Sequence, residues 1–142
     1  MNMTPSEIDL VRESFRLVKP MSDAAGKLFY RRLIRLDPKL QPMFSDLDEQ
    51  GGKLMRMIGA LIGSLNRLDQ VMVLLADLGR RHAASGVRAS HYATGGAALI
   101  WTLEQALGEA FTTEVRGAWV ALYHIVVRAM LDGVRTSEAA AA

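Results

Sequence analysis

A histidine ends an apolar stripe in the middle of the chain, and its side chain is the strongest candidate metal ligand. The stripe consists of Val71, Leu74, Leu75, Leu78 and His82. These residues follow one another at offsets of three, one, three and four, which places them on one side of a helix. A neutral imidazole is a common metal ligand, and small residues at 83–85 leave room for a flat group. The spacing alone, however, favours a partly buried histidine that a backbone carbonyl satisfies.

Two polar side chains lie on apolar helical faces and could donate hydrogen bonds into a ligand cavity. Gln50 shares a face with Leu54 and Met57, because these residues are spaced by four and three. Tyr30 has Leu33 one turn further along the same face. A buried amide or phenol needs a hydrogen-bonding partner, which a bound ligand can supply. The simpler alternatives are a glutamine that faces solvent and a tyrosine that packs with its hydroxyl at the rim.

Helices must position these side chains, because apolar residues recur at intervals of three and four along almost the whole chain. The alternation of period two that is typical of strands is missing. The first two predicted helices span 5–18 and 22–36, and a short helical piece follows at 38–43. A longer helix begins within 45–49 and reaches residue 65, and the helix that contains His82 ends at Gly86. The last two predicted helices span 90–108 and 113–133. We therefore expect one all-α domain over 1–142, with a frayed tail at 137–142.

Length, composition and charge exclude several classes of protein. The 142 residues suit one domain with a single core, and half of them are hydrophobic. Cysteine is absent, which excludes disulfides, thiolate ligands and thioether-linked haem. The formal net charge is only +2, with acids and bases interspersed, which argues against nucleic acid. We find neither a signal-peptide pattern nor an apolar run of membrane-spanning length, so we expect a cytoplasmic protein without a membrane partner.

Four segments together resemble the globin family, specifically bacterial single-domain globins and the globin domains of flavohaemoglobins, which are also similar to neuroglobin. The segments are LFYRRLIRLDPKLQPMF at 28–44, KLM at 53–55, DLGRRHAASGVRASHY at 77–92 and WTLEQALGEAFTTEVRGAWVALY at 101–123. Tyr30 and Phe44 are 14 residues apart and Gln50 and His82 are 32 apart, as in the pockets of this family. The resemblance implies a globin fold of about six to eight helices around one haem b.

On the proximal side of the haem, the resemblance implies that His82 is the iron ligand. Tyr92 matches a tyrosine that flavohaemoglobin domains place beneath this histidine and join to a glutamate of the last helix. That glutamate is not apparent here, because Val134 stands near its expected position and Asp132 is the neighbouring acid. A carboxylate partner makes a proximal imidazole more anionic, so its loss disfavours peroxidase-like chemistry unless Asp132 substitutes for it.

On the distal side, the resemblance implies a polar pair and apolar walls. Phe44 would pack flat on the porphyrin, and Tyr30 and Gln50 would donate hydrogen bonds to the bound gas. Leu54 and Leu99 would form walls that exclude water. Lys53 could reach a haem propionate, and a solvated side chain is an equal alternative.

Three functions are compatible with these features. The leading hypothesis is reversible binding of dioxygen, carbon monoxide or nitric oxide. The enzymatic alternative is a nitric oxide dioxygenase, which would need a separate reductase because the chain contains no reductase domain. The third is a haem-free helical module for sensing or interaction. The sequence does not indicate an oligomeric state.

Two adjacent glycines, Gly95 and Gly96, are unusual inside a predicted helix. Each glycine costs about 1 kcal/mol there relative to alanine, so an advantage should offset the loss. Close packing of helices is the favoured explanation. The alternative is an enlarged distal pocket or an entry path for the ligand.

Overall fold

The computed structural model describes residues 3–141, with side chains described as far as Thr136. Those residues form helices and connecting turns, and no strand occurs among them, which confirms the all-α prediction. The α-helices are α1 (Pro5–Val18), α2 (Ser22–Leu36), α3 (Leu47–Gly63), α4 (Leu68–Ala84), α5 (Ala89–Leu107) and α6 (Thr113–Ala141). Short 3-10 helices cover Lys19–Met21, Pro38–Met43, Leu65–Arg67 and Gly108–Ala110.

Capping side chains fix where the predicted helices begin. Thr4 Oγ1 accepts from the backbone N–H of Glu7 at 3.1 Å, and Glu7 Oε1 accepts from the Thr4 N–H at 2.9 Å. This reciprocal pair satisfies two N–H groups that the first turn leaves unpaired. Asp46 caps α3 by accepting from the Glu49 N–H at 3.1 Å. The predicted bounds of α1 and α2 are confirmed, and α3 ends at Gly63 with Leu65 in the following 3-10 turn.

The last helix is longer than expected. It was predicted to end at residue 133 but continues to Ala141. The side chains of 137–142 lie outside the described residues, so the frayed tail stays a prediction.

Contrary to the sequence expectation, Thr113–Thr136 is long and apolar enough to cross a membrane by length and composition alone. The buried side chains of Trp119 and Leu122 in this segment belong to the main hydrophobic core. The core helix of a soluble protein can have the same length and apolar composition as a membrane-spanning helix.

Glycines let two pairs of helices touch through their backbones. A Cβ on Gly26 of α2 would lie 2.6 Å from the carbonyl oxygen of Gly51 in α3. A Cβ on Gly79 of α4 would collide with the Met130 carbonyl oxygen in α6, and one on Gly133 would collide with the Ala76 carbonyl oxygen. Such separations are too short for real atoms, so only glycine permits these contacts. The histidine helix α4 is thereby held directly on α6.

We expect Gly79→Ala to destabilise the protein by about 1–3 kcal/mol, because the added methyl group would force α4 away from the α6 backbone. Gly117→Ala is the matched control, since a Cβ there meets nothing within 4 Å. That control should stabilise α6 by about 0.5–1 kcal/mol through helix propensity. Urea unfolding followed by circular dichroism measures both changes. Equal effects of the two substitutions would contradict the close contact.

Two separate packing arrangements position the predicted site. α3 packs on α2, whereas α4 packs on α6, and no extensive packing joins α3 to α4 among the described residues. The two helices meet at the corner formed by Leu65–Arg67, where the chain bends by 64°. Distal residues on α2 and α3 and the proximal histidine on α4 are therefore held by different parts of the core.

Candidate functional site

The predicted distal residues of α2, α3 and α5 come together in one apolar cluster. Tyr30 packs edge-on against Phe44, with their ring centroids 5.1 Å apart. Leu54 and Leu99 join this cluster and also contact the main core. Phe44 directly follows the Pro38–Met43 3-10 helix, which connects α2 to α3. The structure thus brings together an aromatic pair and two aliphatic side chains that lie far apart in the sequence.

Tyr30 carries the polar group of this cluster. The residue is only 8% exposed, and its hydroxyl makes no hydrogen bond to any residue with a described side chain. Burial raises the pKa of the phenol above its ordinary value, so it remains a protonated donor at neutral pH. The hydroxyl oxygen is not fully enclosed, so a polar ligand beside the cluster could accept its hydrogen bond.

Gln50 and Lys53 lie one turn apart in α3 but in different surroundings. Gln50 is half-buried and lies one turn before Leu54, which packs against the apolar cluster. Lys53 is exposed, and its Nζ lies 3.3 Å from Glu49 Oε1. The solvated alternative for Lys53 therefore describes its position in this structure, and a propionate contact would require the side chain to leave Glu49.

The predicted proximal residues also come together, on α4 and α5. The Tyr92 hydroxyl lies 3.5 Å from His82 Nδ1, at the long end of hydrogen-bonding distance. This contact uses Nδ1 and leaves Nε2 as the nitrogen that can bind a metal. Burial, with the nearby charge of Arg81, lowers the pKa of the His82 imidazole below its ordinary value. The ring is therefore neutral near pH 7, which is the form that binds metals.

The apolar stripe that ends in His82 is divided in the structure. Val71, Leu75 and Gly79 are buried, and Gly79 meets α6 directly. Leu74 is 68% exposed, so the structure buries only part of the predicted apolar stripe. Adjacent residues differ by about 100° around a helix, and packing on α6 covers only one of the two. His82 is half-buried at the boundary between these sides.

A second tyrosine, Tyr123 of α6, holds the backbone beneath the proximal pair. Its hydroxyl donates to the Tyr92 carbonyl oxygen at 2.6 Å. Its ring lies on Gly96, where a Cβ would be 2.8 Å from Cε2, and a Cβ on Gly95 would be 2.9 Å from its hydroxyl oxygen. The two glycines thus make room for the Tyr123 ring, which favours close packing over a ligand path. The sequence reasoning missed this residue, although the paired glycines signalled a bulky neighbour.

We expect Gly96→Ala to destabilise the protein by about 1–3 kcal/mol, because the methyl group would collide with the Tyr123 ring. In a Tyr123→Leu background the same change should instead stabilise by about 1 kcal/mol, as alanine normally does inside a helix. A double-mutant cycle measured by urea unfolding tests this reversal of sign. Additive effects would show that the ring and the glycine do not compete for space.

No carboxylate joins the proximal pair within the described side chains. Asp132 forms an ion pair with Arg135, one turn further along α6, and makes no contact with Tyr92 or His82. Val134 is half-buried and carries no charge. The suggestion that Asp132 replaces the missing glutamate is therefore wrong for this structure. The only hydrogen-bond partner described for the His82 ring is the neutral Tyr92 hydroxyl.

The other two histidines make no described hydrogen bond to His82 or Tyr92. His91 Nδ1 accepts from the Arg88 N–H at 3.0 Å at the start of α5, and His124 is exposed on α6. Within residues 3–136 no group of three or more His, Cys, Asp or Glu could hold a metal ion. A metal bound at His82 would thus need its remaining ligands from outside the protein, as a porphyrin provides.

The chain is similar to known globins in both sequence and structure. A family model described as Globin matches residues 27–130. Neuroglobin of Danio rerio is 33% identical over 139 residues, covering 87% of this chain and 87% of that protein. Neuroglobin of Chaenocephalus aceratus is 31% identical over 146 residues, covering 92% of each. A crystal structure of a hexacoordinated haem protein from an anhydrobiotic tardigrade matches with a TM-score of 0.84 and 15% identity, over 94% of this chain and 96% of that one, and shows the same fold.

Proposed function

Because this chain belongs to the globin family, we propose that it binds one haem b through His82 and reversibly takes up a diatomic gas such as dioxygen, carbon monoxide or nitric oxide. One observation carries the proposal. A half-buried imidazole of lowered pKa on α4 and the Tyr30 hydroxyl on α2, which makes no hydrogen bond to a described side chain, lie on two helix pairs, α4 with α6 and α2 with α3. We further propose a cytoplasmic location.

The residues present fit a haem. The donor set contains one imidazole with a free Nε2 and no thiolate or carboxylate cluster among the described residues, which suits an iron that a macrocycle already holds. Aromatic and aliphatic side chains gather around Tyr30, as a flat apolar group requires. Met57 and Leu74 are 41% and 68% exposed, so apolar surface on α3 and α4 remains available to such a group.

On the proximal side, His82 would supply the axial nitrogen and Tyr92 would orient the ring. A neutral hydroxyl that accepts a hydrogen bond from Nδ1–H polarises the imidazole only weakly, whereas a carboxylate in the same place would make the ring more anionic. Tyr123 holds the Tyr92 backbone, and Gly79 holds α4 on α6. These contacts favour a neutral axial imidazole in a fixed position, which suits ligand binding better than peroxide chemistry.

On the distal side, the haem would supply an iron that binds a diatomic gas, and the protein would supply donors and walls. The Tyr30 hydroxyl and the Gln50 amide would donate hydrogen bonds to the polar end of the gas. Leu54, Leu99 and Phe44 would exclude water, which strengthens those hydrogen bonds.

The visible absorption spectrum tests this function. Protein produced with haem available should purify with about one haem per chain and show a Soret band. Carbon monoxide should shift that band after reduction, because in our proposal Tyr30 and Gln50 would leave the iron accessible to a gas. A colourless protein that does not take up added haem would contradict haem binding. A haem protein whose reduced spectrum ignores carbon monoxide would contradict gas binding and leave the haem assignment standing.

Nitric oxide dioxygenation is a second candidate, and the Tyr30 donor favours it because a retained dioxygen has time to react. Oxidation of nitric oxide to nitrate leaves ferric iron, so repeated turnover requires a separate reductase. Oxygenated protein mixed with nitric oxide and an electron donor distinguishes the two functions. Nitrate formed over many cycles would favour the enzyme, whereas one nitrate per haem would favour the carrier.

A further inference from the structure

A cleft of about 620 Å³ lies between α1 and α3. Buried side chains form its floor: Phe15, Met55 and Ile62. Its volume falls within the roughly 300–1,000 Å³ that is common for small-molecule sites. None of the residues assigned to the haem lines it.

The geometry of α3 places this cleft and Gln50 on different sides of the helix. Gly52, Gly59 and Gly63 line the cleft and repeat at seven and four, so they share one face of α3. Gln50 is offset by two residues from Gly52, which is about 200° around the helix axis. A molecule in the cleft would therefore lie on a different side of α3 from the predicted distal amide.

The rim of the cleft is positively charged. The charged residues that line it are Arg12, Arg16, Lys19, Arg56 and Asp23. Arg16 is neutralised by Glu13 at 2.7 Å, but no ion pair involves Arg12, Lys19 or Arg56 within the part of the chain with described side chains. Arg56 Nη1 lies 3.3 Å from where a Cβ on Gly52 would be, so this guanidinium extends over α3 into the cleft. The rim suits an anion.

The lining also restricts the rest of the ligand. Ser22 is the one uncharged polar side chain there, and its hydroxyl already donates to the Lys19 carbonyl at 2.7 Å. A ligand rich in hydroxyls, such as a sugar phosphate, would find few partners beyond the cations. An alkyl chain, by contrast, would cover the apolar floor and the exposed backbone of the glycines.

We propose that this cleft binds a single-chain anionic amphiphile of the fatty-acid class. The carboxylate lies between Arg12 and Arg56, where two guanidinium groups donate charge-assisted hydrogen bonds. The alkyl chain lies along Phe15 and Met55. The site does not involve the haem, so it can be tested whatever the outcome for gas binding.

Isothermal titration calorimetry with decanoate tests the ligand class on the protein as purified. We expect one decanoate per chain. Decanol lacks the charge and acetate lacks the alkyl chain. The affinity for each should be lower than that for decanoate by a factor of about ten or more, since both the ion pair and the apolar contact contribute. Equal binding of decanol and decanoate would overturn the role of the rim, and equal binding of acetate would overturn the role of the floor.

Matched variants test the location. Arg12→Gln with Arg56→Gln should weaken decanoate binding about tenfold or more, whereas Arg116→Gln with Arg128→Gln, which removes the same charge from exposed positions on α6, should not. Gly59→Leu should also block binding, because a Cβ there makes only ordinary contact with Phe15 at 3.5 Å and the longer side chain then fills the floor. Equal weakening by the two double variants would overturn the site. So would decanoate binding that is present in haem-free protein and lost on haem loading, because it would place the ligand in the haem site.

Discussion

Replacing His82 by glycine should abolish stable haem binding while leaving the helices intact. The imidazole is the one metal-binding side chain described at the site, and mutation of mere supporting partners already lowers metal affinity about 10- to 100-fold. We therefore expect more than about a 100-fold loss of haem affinity. The half-buried position of His82 makes the removal of its ring tolerable for folding. Haem titration followed at the Soret band, with circular dichroism of the same samples, measures both quantities.

Added imidazole and a second histidine variant make this experiment decisive. Free imidazole should restore haem binding to His82→Gly, because the space left by the ring and the contact at Tyr92 both remain. His124→Gly is the matched control on an exposed position of α6, and it should retain haem fully. Loss of haem in both variants, or normal haem in His82→Gly without imidazole, would contradict ligation by His82.

Local rules predicted most of the helices because the signals are strong and nearby in sequence. Thr4, Pro5 and Glu7 form a complete capping box, and Pro20 and Pro38 follow the ends of α1 and α2. The end of α6 could not be predicted in this way. Nothing in the alanine-rich segment after residue 133 stops a helix, since alanine is the best helix former. Low complexity and the lack of an obvious packing partner predict a frayed end there, but neither property determines where the helical backbone stops.

Side-chain pairing in the candidate site was harder to predict, because it depends on which helices touch. The spacing of Tyr30 and Phe44 resembles the globin pattern, and the structure gathers these two residues with Leu54 in one cluster. By contrast, the exposure of Leu74 follows from the way Gly79 docks α4 on α6, which periodicity alone does not specify. Asp132 likewise pairs with the nearby Arg135 and not with Tyr92, and a match between sequences does not show which partner a carboxylate takes.

The distal pair should control how long dioxygen remains bound. Tyr30→Phe keeps the packing against Phe44 but removes the hydroxyl, so a hydrogen bond worth about 1–3 kcal/mol in a buried setting is lost. Dioxygen should dissociate roughly 5- to 150-fold faster. Stopped-flow displacement of dioxygen by carbon monoxide measures this rate. Tyr123→Phe is the control, because it removes a hydroxyl of the same kind that binds the Tyr92 carbonyl and not the gas.

The comparison of two gases separates hydrogen bonding from a change of pocket shape. Bound dioxygen gathers negative charge and accepts a hydrogen bond strongly, whereas carbon monoxide does so weakly, so Tyr30→Phe should affect carbon monoxide dissociation far less. Gln50→Leu should behave in the same way with a smaller effect, because its amide is only half-buried and water can partly replace it. Equal acceleration for both gases would mean that Tyr30 acts by filling space. An unchanged dioxygen rate in both variants would mean that neither side chain faces the bound gas, and the distal side would then have to be sought among other residues of α2 and α3.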